Sequence, residues 1–234
     1  YQLERFFVTW VMILFMILTD AFTAFAQVKQ ATALVNGISC DLEQGILKVE
    51  FVTPDVVRVQ YTGENTFIGN GTDVCLPRAV DNPVRWVYTP NPDCYLLKSD
   101  SLIVRVDLST ASITYLDKEG GLLLQEDQNI PRISEKRVTK QVIYDEHSKH
   151  IEKTADGDKE IKNVLRYDTI GHTWKYRINF KWQPLEALYG WGAHMEDYMN
   201  LRGKELYLCQ HNLKAMVPVL NSTAGYGLLF DAGC

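Results

Sequence analysis

Gln210, His211 and Asn212 stand in a row directly after the alternating stretch 205–209. Each of the three side chains can both donate and accept hydrogen bonds, and neither amide carries a charge. Such groups at the end of a strand, held on a rigid sheet, are well placed to bind a ligand. Other chemistry-bearing residues are less organised. Glu196, Asp197 and Asp231 could serve as acids or bases, but nothing in the spacing sets two of them across a substrate. Glu196 and Asp197 read as solvated or turn-capping. His147 and His150, in "HSKH", have no third metal ligand nearby and read as a solvated surface pair. There is no G-x-S-x-G nucleophile elbow and no phosphate-binding P-loop. Five cysteines, Cys40, Cys75, Cys94, Cys209 and Cys234, form no C-x-x-C pair, so a zinc ribbon or thioredoxin-type site is unsupported. Cys75 with Cys94 is the most local disulfide option, and buried thiols are the simpler reading for most of the five. No metal or cofactor is assigned.

The elements that must carry these residues are strands. "GILKVEFV" sets Leu47, Val49 and Phe51 on one side, and "DVVRVQYT" does the same with Val57, Val59 and Tyr61. Thr53-Pro54-Asp55 between them is a turn signal. "SLIVRVDL", "ASITYLD" and "GLLLQE" follow at short spacing, the last two separated by a turn containing Gly120-Gly121. "WKYRINFKW", residues 174–182, alternates five apolar residues with four polar ones and reads as one strand. Residues 77–92 hold four prolines and little periodicity, and read as a loop. Residues 145–162 are polar with Asp156-Gly157 inside, which predicts an exposed hairpin. "YGWG" reads as a strand entering a glycine turn, and "NLRGK" as a second turn. Gly190, Gly192, Gly203 and Gly225 read as backbone-conformation residues, Tyr189, Trp191 and Tyr226 as core, and Arg202 as a side chain holding a carboxylate or carbonyls at the turn. "ELYLCQHN" reads as a strand, and two more strands flank a Ser-Thr-Ala-Gly turn within residues 215–231. Many short strands and no long helix predict an all-β, antiparallel β-sandwich.

The chain has 234 residues, 46% hydrophobic and 11% aromatic, which is enough for a substantial core. A net charge of −5, with no block of lysines and arginines, excludes a nucleic-acid-binding reading. Residues 6–18 are apolar except for Thr9, Arg5 precedes them, and "AFA" follows before Gln27. That layout predicts a signal-peptide helix over residues 1–26 and export, to the periplasm or beyond the cell. Residues 27–234 then read as one β-domain. Tyr1 at the start, and Cys234 directly after an apolar run, give the chain the look of a piece of a longer product.

The run from Glu186 to Asp231 resembles the end of the N-terminal β-sandwich of family 31 glycoside hydrolases, a galactose mutarotase-like supersandwich. The resemblance rests on ordered elements: Glu186; Tyr189, Gly190 and Gly192; Asn200, Arg202 and Gly203; Gln210, His211 and Asn212; Pro218; and Ser222, Gly225, Tyr226, Gly227 and Asp231. Upstream the likeness is architectural only.

The resemblance implies a retaining, exo-acting α-glycosidase of α-xylosidase or α-glucosidase type, acting on oligosaccharide. Two aspartates of a following (β/α)₈ barrel would act as nucleophile and acid/base, about 5–5.5 Å apart. That barrel would be the chain's partner, and the present residues would hold no catalytic group and no activity alone. The family's sandwich lends a loop to the barrel's pocket, often with Asp at the position matched by Asn212. Asn212 and Gln210 are therefore expected to face the substrate, with His211 beside them. The absence of that Asp makes an α-xylosidase the first expectation. A self-contained sugar-binding or structural sandwich is the alternative, and a sugar epimerase, for which no His and Glu pair is assigned, is a third.

Overall fold

The computed structural model describes residues 27–67 and 83–231. The apolar run 6–18, Cys75 and Cys234 lie outside the described residues. The chain clusters into two compact units, Tyr1–Pro131 with Asn179–Cys234, and Arg132–Ile178. The single β-domain expected over residues 27–234 thus comprises two such units.

In the first unit, β1 (Val28–Ala33), β2 (Gly37–Leu42), β3 (Ile46–Thr53) and β4 (Val56–Thr62) form an antiparallel sheet in chain order. The next strands are β5 (Trp86–Pro90), β6 (Cys94–Ser99), β7 (Leu102–Asp107), β8 (Ile113–Asp117) and β9 (Leu122–Glu126), again each beside its sequence neighbour. The two sheets share one core. Ile38, Cys40, Leu47, Val49 and Phe51 from the first meet Leu97, Val104, Val106 and Ile113 from the second. Side chains two apart on a strand point the same way, so the alternation of β3 delivers Leu47, Val49 and Phe51 to this core. Full burial of each such side chain stabilises by about 1.5–3 kcal/mol. Val57, Val59 and Tyr61 pack on its margin, as their alternation predicts. This is the expected β-sandwich arrangement.

Polar ties join the sheets at their margins. Trp86 Nε1 donates to Val35 O at 2.9 Å, Val84 N donates to Asn36 Oδ1 at 3.0 Å, and Ser99 Oγ donates to Pro54 O at 2.5 Å. β5 corrects the reading of residues 77–92 as a loop. It is an edge strand with Pro90 at its end, where a missing N–H costs no ladder bond. β2 buries Ile38, Cys40 and Leu42 in alternation, but the small residues Gly37, Ser39 and Cys40 leave only a weak hydrophobic signal in the sequence. Gly37 is required there: a Cβ would come within 2.0 Å of Val49 O. Cys94 is a buried free thiol and Cys40 is buried in the core.

The second unit is an antiparallel ribbon of β10 (Arg132–Tyr144) and β13 (Val164–Ile178), with β11 (His150–Thr154) and β12 (Gly157–Ile161) paired as a hairpin between them. The exposed hairpin expected over 145–162 is present, and Gly157 takes φ +114° at its tip. Between β10 and β11, Glu146–Ser148 form a 3₁₀ turn, the one helical element among the described residues. His147 and His150 are both exposed.

The strand expected over 174–182 is broken. Asn179 leaves the ladder to donate its Nδ2 to Ile130 O at 2.7 Å. Before it runs β13; after it, β14 (Phe180–Lys181) returns to the first unit and pairs with β9, completing the order β14-β9-β8-β7-β6-β5. β15 (Leu188–Gly190), β16 (Val219–Ser222) and β17 (Gly227–Leu229) then form a small sheet. Leu188, Leu201 and Leu220 are its buried core, flanked by Trp182, Trp191, Leu206 and Leu228.

If the shared core sets stability, Leu47→Ala will cost about 2–5 kcal/mol in urea unfolding, since it opens a cavity among fully buried neighbours. Ile151→Ala, on the exposed hairpin, will change it by less than about 0.5 kcal/mol.

Candidate functional site

The ligand-facing candidates sit at the end of the first unit, and one carboxylate organises their surroundings. Glu186 is buried. Its Oε2 accepts from Gln183 N at 2.6 Å, and its Oε1 accepts from Ser222 Oγ and from the Tyr226 hydroxyl. Arg202 closes the cluster from the other side, with Nη1 donating to Gln183 O and to Glu186 O at 2.9 Å. This is the carbonyl-holding role expected of Arg202. Burial pushes the Glu186 carboxyl up, but the Ser222, Tyr226 and Gln183 donors and the Arg202 charge outweigh it, so the group is held below its ordinary value. Tyr226 is pushed the opposite way, first by burial and then by its bond to the carboxylate. Gln183 anchors the cluster to the large sheet, donating Nε2 to Leu122 O at 2.7 Å and to Leu123 O at 2.9 Å.

From Glu186 the chain runs through β15 into the glycine turn. Gly190 (φ +129°), Trp191 (φ +63°) and Gly192 (φ +84°) reverse it, and the backbone of 191–193 zips against 215–219. Trp191 N donates to Val219 O at 2.8 Å, and Ala193 and Ala215 exchange bonds of 2.8 and 3.1 Å. A Cβ on Gly192 would lie 2.1 Å from Ala215 O, so only glycine permits this approach. The second turn is fixed by Asn200, whose Oδ1 accepts from Leu188 N and Arg202 N, both at 3.1 Å. Gly203 takes φ +69° there, as expected.

The strand expected over 205–212 does not form. Residues 204–210 join no ladder. Their alternation has a different use: Leu206 packs on the small core while Tyr207 is exposed. The three candidates therefore lie in and beside a tight turn, not at a strand end. His211 N and Lys214 N each bond the other's carbonyl, at 3.3 and 3.0 Å, leaving Asn212 and Leu213 at the tip. Gln210 Oε1 accepts from Met216 N at 3.1 Å and so braces the turn. His211 Nδ1 accepts from Leu213 N at 3.3 Å. Asn212 is exposed. Of the three, it is the one whose side chain makes no hydrogen bond among the described residues.

Behind the turn lies an ion cluster that the sequence did not reveal. Lys214 Nζ contacts Glu196 Oε1, and His194 Nδ1 lies 3.4 Å from Glu196 Oε2. Glu196 is thus paired, where the sequence suggested a solvated or turn-capping role. The Lys214 hydrogen bond holds its carboxyl low against the opposing effect of desolvation. No periodic pattern links residues eighteen apart across two irregular segments, so this pairing left no local signal. Of the aromatics expected in the core, Trp191 packs against Phe230 at 5.1 Å and Tyr226 is tethered by Glu186, while Tyr189 is exposed.

Comparison with known proteins agrees with this architecture. Residues 46–233 match the family profile described as the glycosyl hydrolase 31 N-terminal galactose mutarotase-like domain. An uncharacterized family 31 glucosidase of Pseudescherichia vulneris is 36% identical over 61 residues, which are 26% of this chain and 12% of that protein. Among solved structures, the family 31 α-xylosidase of Xanthomonas citri superposes with a TM-score of 0.60 at 19% identity, over 85% of this chain and 18% of that one. The family 31 dextranase of Flavobacterium johnsoniae, in complex with isomaltotriose, gives 0.59 at 13% identity, over 89% and 22%. These structural likenesses establish the fold. The chain spans less than a quarter of each of these three proteins.

Glu186→Gln removes the charge on which three donors converge, and will destabilise the chain at pH 7 by about 1–3 kcal/mol in urea unfolding. Because the folded carboxyl is held below its ordinary value of 4.5, its contribution is full above that pH and disappears as pH falls through the folded value. The gap between the native chain and Glu186→Gln will therefore narrow on acidification below pH 4.5, and a gap unchanged down to the acid limit would exclude a charge-based role.

Proposed function

Since this chain belongs to the family of glycosyl hydrolase 31 N-terminal galactose mutarotase-like domains, we propose that it is the non-catalytic sandwich of a longer, exported, retaining α-glycosidase. The longer enzyme removes terminal α-linked xylose or glucose from oligosaccharides. Its nucleophile and acid/base aspartates belong to a barrel that follows the present residues, and the sandwich alone is inactive. Residues 1–26 direct export.

The observation that carries the substrate role is the turn at 211–214. It presents Asn212 with an amide unengaged among the described residues, on a backbone that Gln210, Ala193 and Lys214 hold in place. An amide can donate to one sugar hydroxyl and accept from another, and it brings no charge to a neutral ligand. Gln210 and His211 support the turn and complete its polar rim.

Two experiments test the reading. The source DNA beyond the codon for Cys234 will continue in frame for several hundred codons and encode the barrel; an early stop would instead leave a self-contained sugar-binding or structural sandwich. In the longer enzyme, Asn212→Ala will lower kcat/KM on p-nitrophenyl α-D-xyloside or α-D-glucoside by about 1–3 kcal/mol of transition-state binding. Unchanged kcat/KM on both substrates would remove Asn212 from the pocket.

A further inference from the structure

The turn that presents Asn212 has no hydrophobic anchor of its own. Its tip residue Leu213 is exposed, and so are His211 and Asn212. Its two limbs are tied by a single pair of backbone bonds, between His211 and Lys214. Beyond the Ala193–Ala215 backbone bonds at its base, its position relative to the rest of the sheet comes from side chains that reach away from it. Gln210 supplies one such bond, to Met216 N, but that lies within the same excursion of the chain. Lys214 supplies the other, and it reaches Glu196 in a different segment.

The geometry around this contact is that of a built site. The Lys214 side chain is only 16% exposed. His194 is 9% exposed, and its Nδ1 faces Glu196 Oε2 with no partner meeting hydrogen-bond geometry among the described residues. Glu196 is thus held between a cation and an imidazole, and its Oε2 is enclosed. The segment bearing His194 and Glu196 is itself fixed: it leaves the glycine turn at Gly192, where Ala193 is bonded to Ala215. Lys214 adjoins Ala215. Backbone pairing at 193–215 and ion pairing at 196–214 therefore act on the same short limb, and Asn212 is two residues further along.

We propose that Lys214 and Glu196, backed by His194, are positioning residues that fix the 211–214 turn so that Asn212 meets the sugar. This rests on the reading of Asn212 as a pocket residue. The pair touches no substrate itself. It sets where the amide stands, so its loss lets the turn sample several positions and weakens sugar binding, leaving the chemical step in the barrel intact.

The test is a double-mutant cycle in the longer enzyme, assayed on p-nitrophenyl α-D-xyloside and α-D-glucoside, with Lys214→Met, Asn212→Ala and the double variant. Lys214→Met will raise KM about tenfold with kcat within about threefold, the signature of lost binding and not of lost folded enzyme. The double variant will be no more than about twofold worse than the poorer single one, because a displaced turn has already lost the contact that Asn212 makes. Lys214→Arg, which keeps the ion pair, will restore most of the affinity. Should Lys214→Met fail to fold, Glu196→Gln removes the pair without emptying space and takes its place in the cycle. A fall in kcat without a KM change, or fully additive losses, would overturn the positioning role while leaving Asn212 in the pocket. No effect of Asn212→Ala alone would overturn both, and would be seen first.

Discussion

The small sheet that carries the candidate site is organised by the buried carboxylate of Glu186. A carboxylate taken out of water is costly unless donors replace its hydration. Here the three donors come from two separated places, Gln183 N beside it and the Ser222 and Tyr226 hydroxyls at the β16–β17 turn, with the Arg202 charge close by. Satisfying one group therefore closes a loop of sequence some forty residues long. Gln183 passes the constraint to β9 of the large sheet, and β16 passes it to the 215–219 limb, which lies against the glycine turn. The position of Asn212 is the far end of this chain of contacts.

The two sheets of the sandwich supply the rigid base. Their shared core is formed by short, alternating strands from two parts of the sequence, and apart from Cys40 its most buried members are aliphatic or aromatic. The ribbon of 132–178 follows a different principle. Its β11–β12 hairpin is exposed along its length, apart from a half-buried Ile161, and its order comes from cross-strand pairing and charged contacts such as Lys149–Glu160 and Lys162–Glu146. Such surface pairs are screened by solvent and each contribute little. Stability and site geometry are therefore properties of the sandwich and the small sheet.

Much of this was legible in the sequence. The alternation of 45–62 identified β3 and β4 with their buried faces, because one side of each strand meets the core and the other does not. The glycines at 190, 192 and 203 marked reversals because positive φ excludes most other residues. What failed to read did so for physical reasons. Residues 205–210 alternate like a strand, but only Leu206 packs on a core and no partner strand is present, and periodicity cannot tell these cases apart. "WKYRINFKW" alternates without interruption, yet Asn179 breaks it by a side-chain bond to Ile130 that no spacing rule foretells. The role of Gln210 as a brace, and the pairing of Lys214 with Glu196, depend on how two irregular segments meet. Asn212 was picked out by its place in the motif, and its availability only by the turn's hydrogen bonds.

The central claim is that this sandwich contributes Asn212 to the sugar site of a longer hydrolase. A crystal structure of the longer protein with bound xylose tests it most directly. The account predicts the 211–214 turn at the mouth of the barrel, with an Asn212 amide atom about 2.7–3.2 Å from a sugar hydroxyl. A sugar enclosed entirely by other residues, with that turn facing solvent, would contradict it.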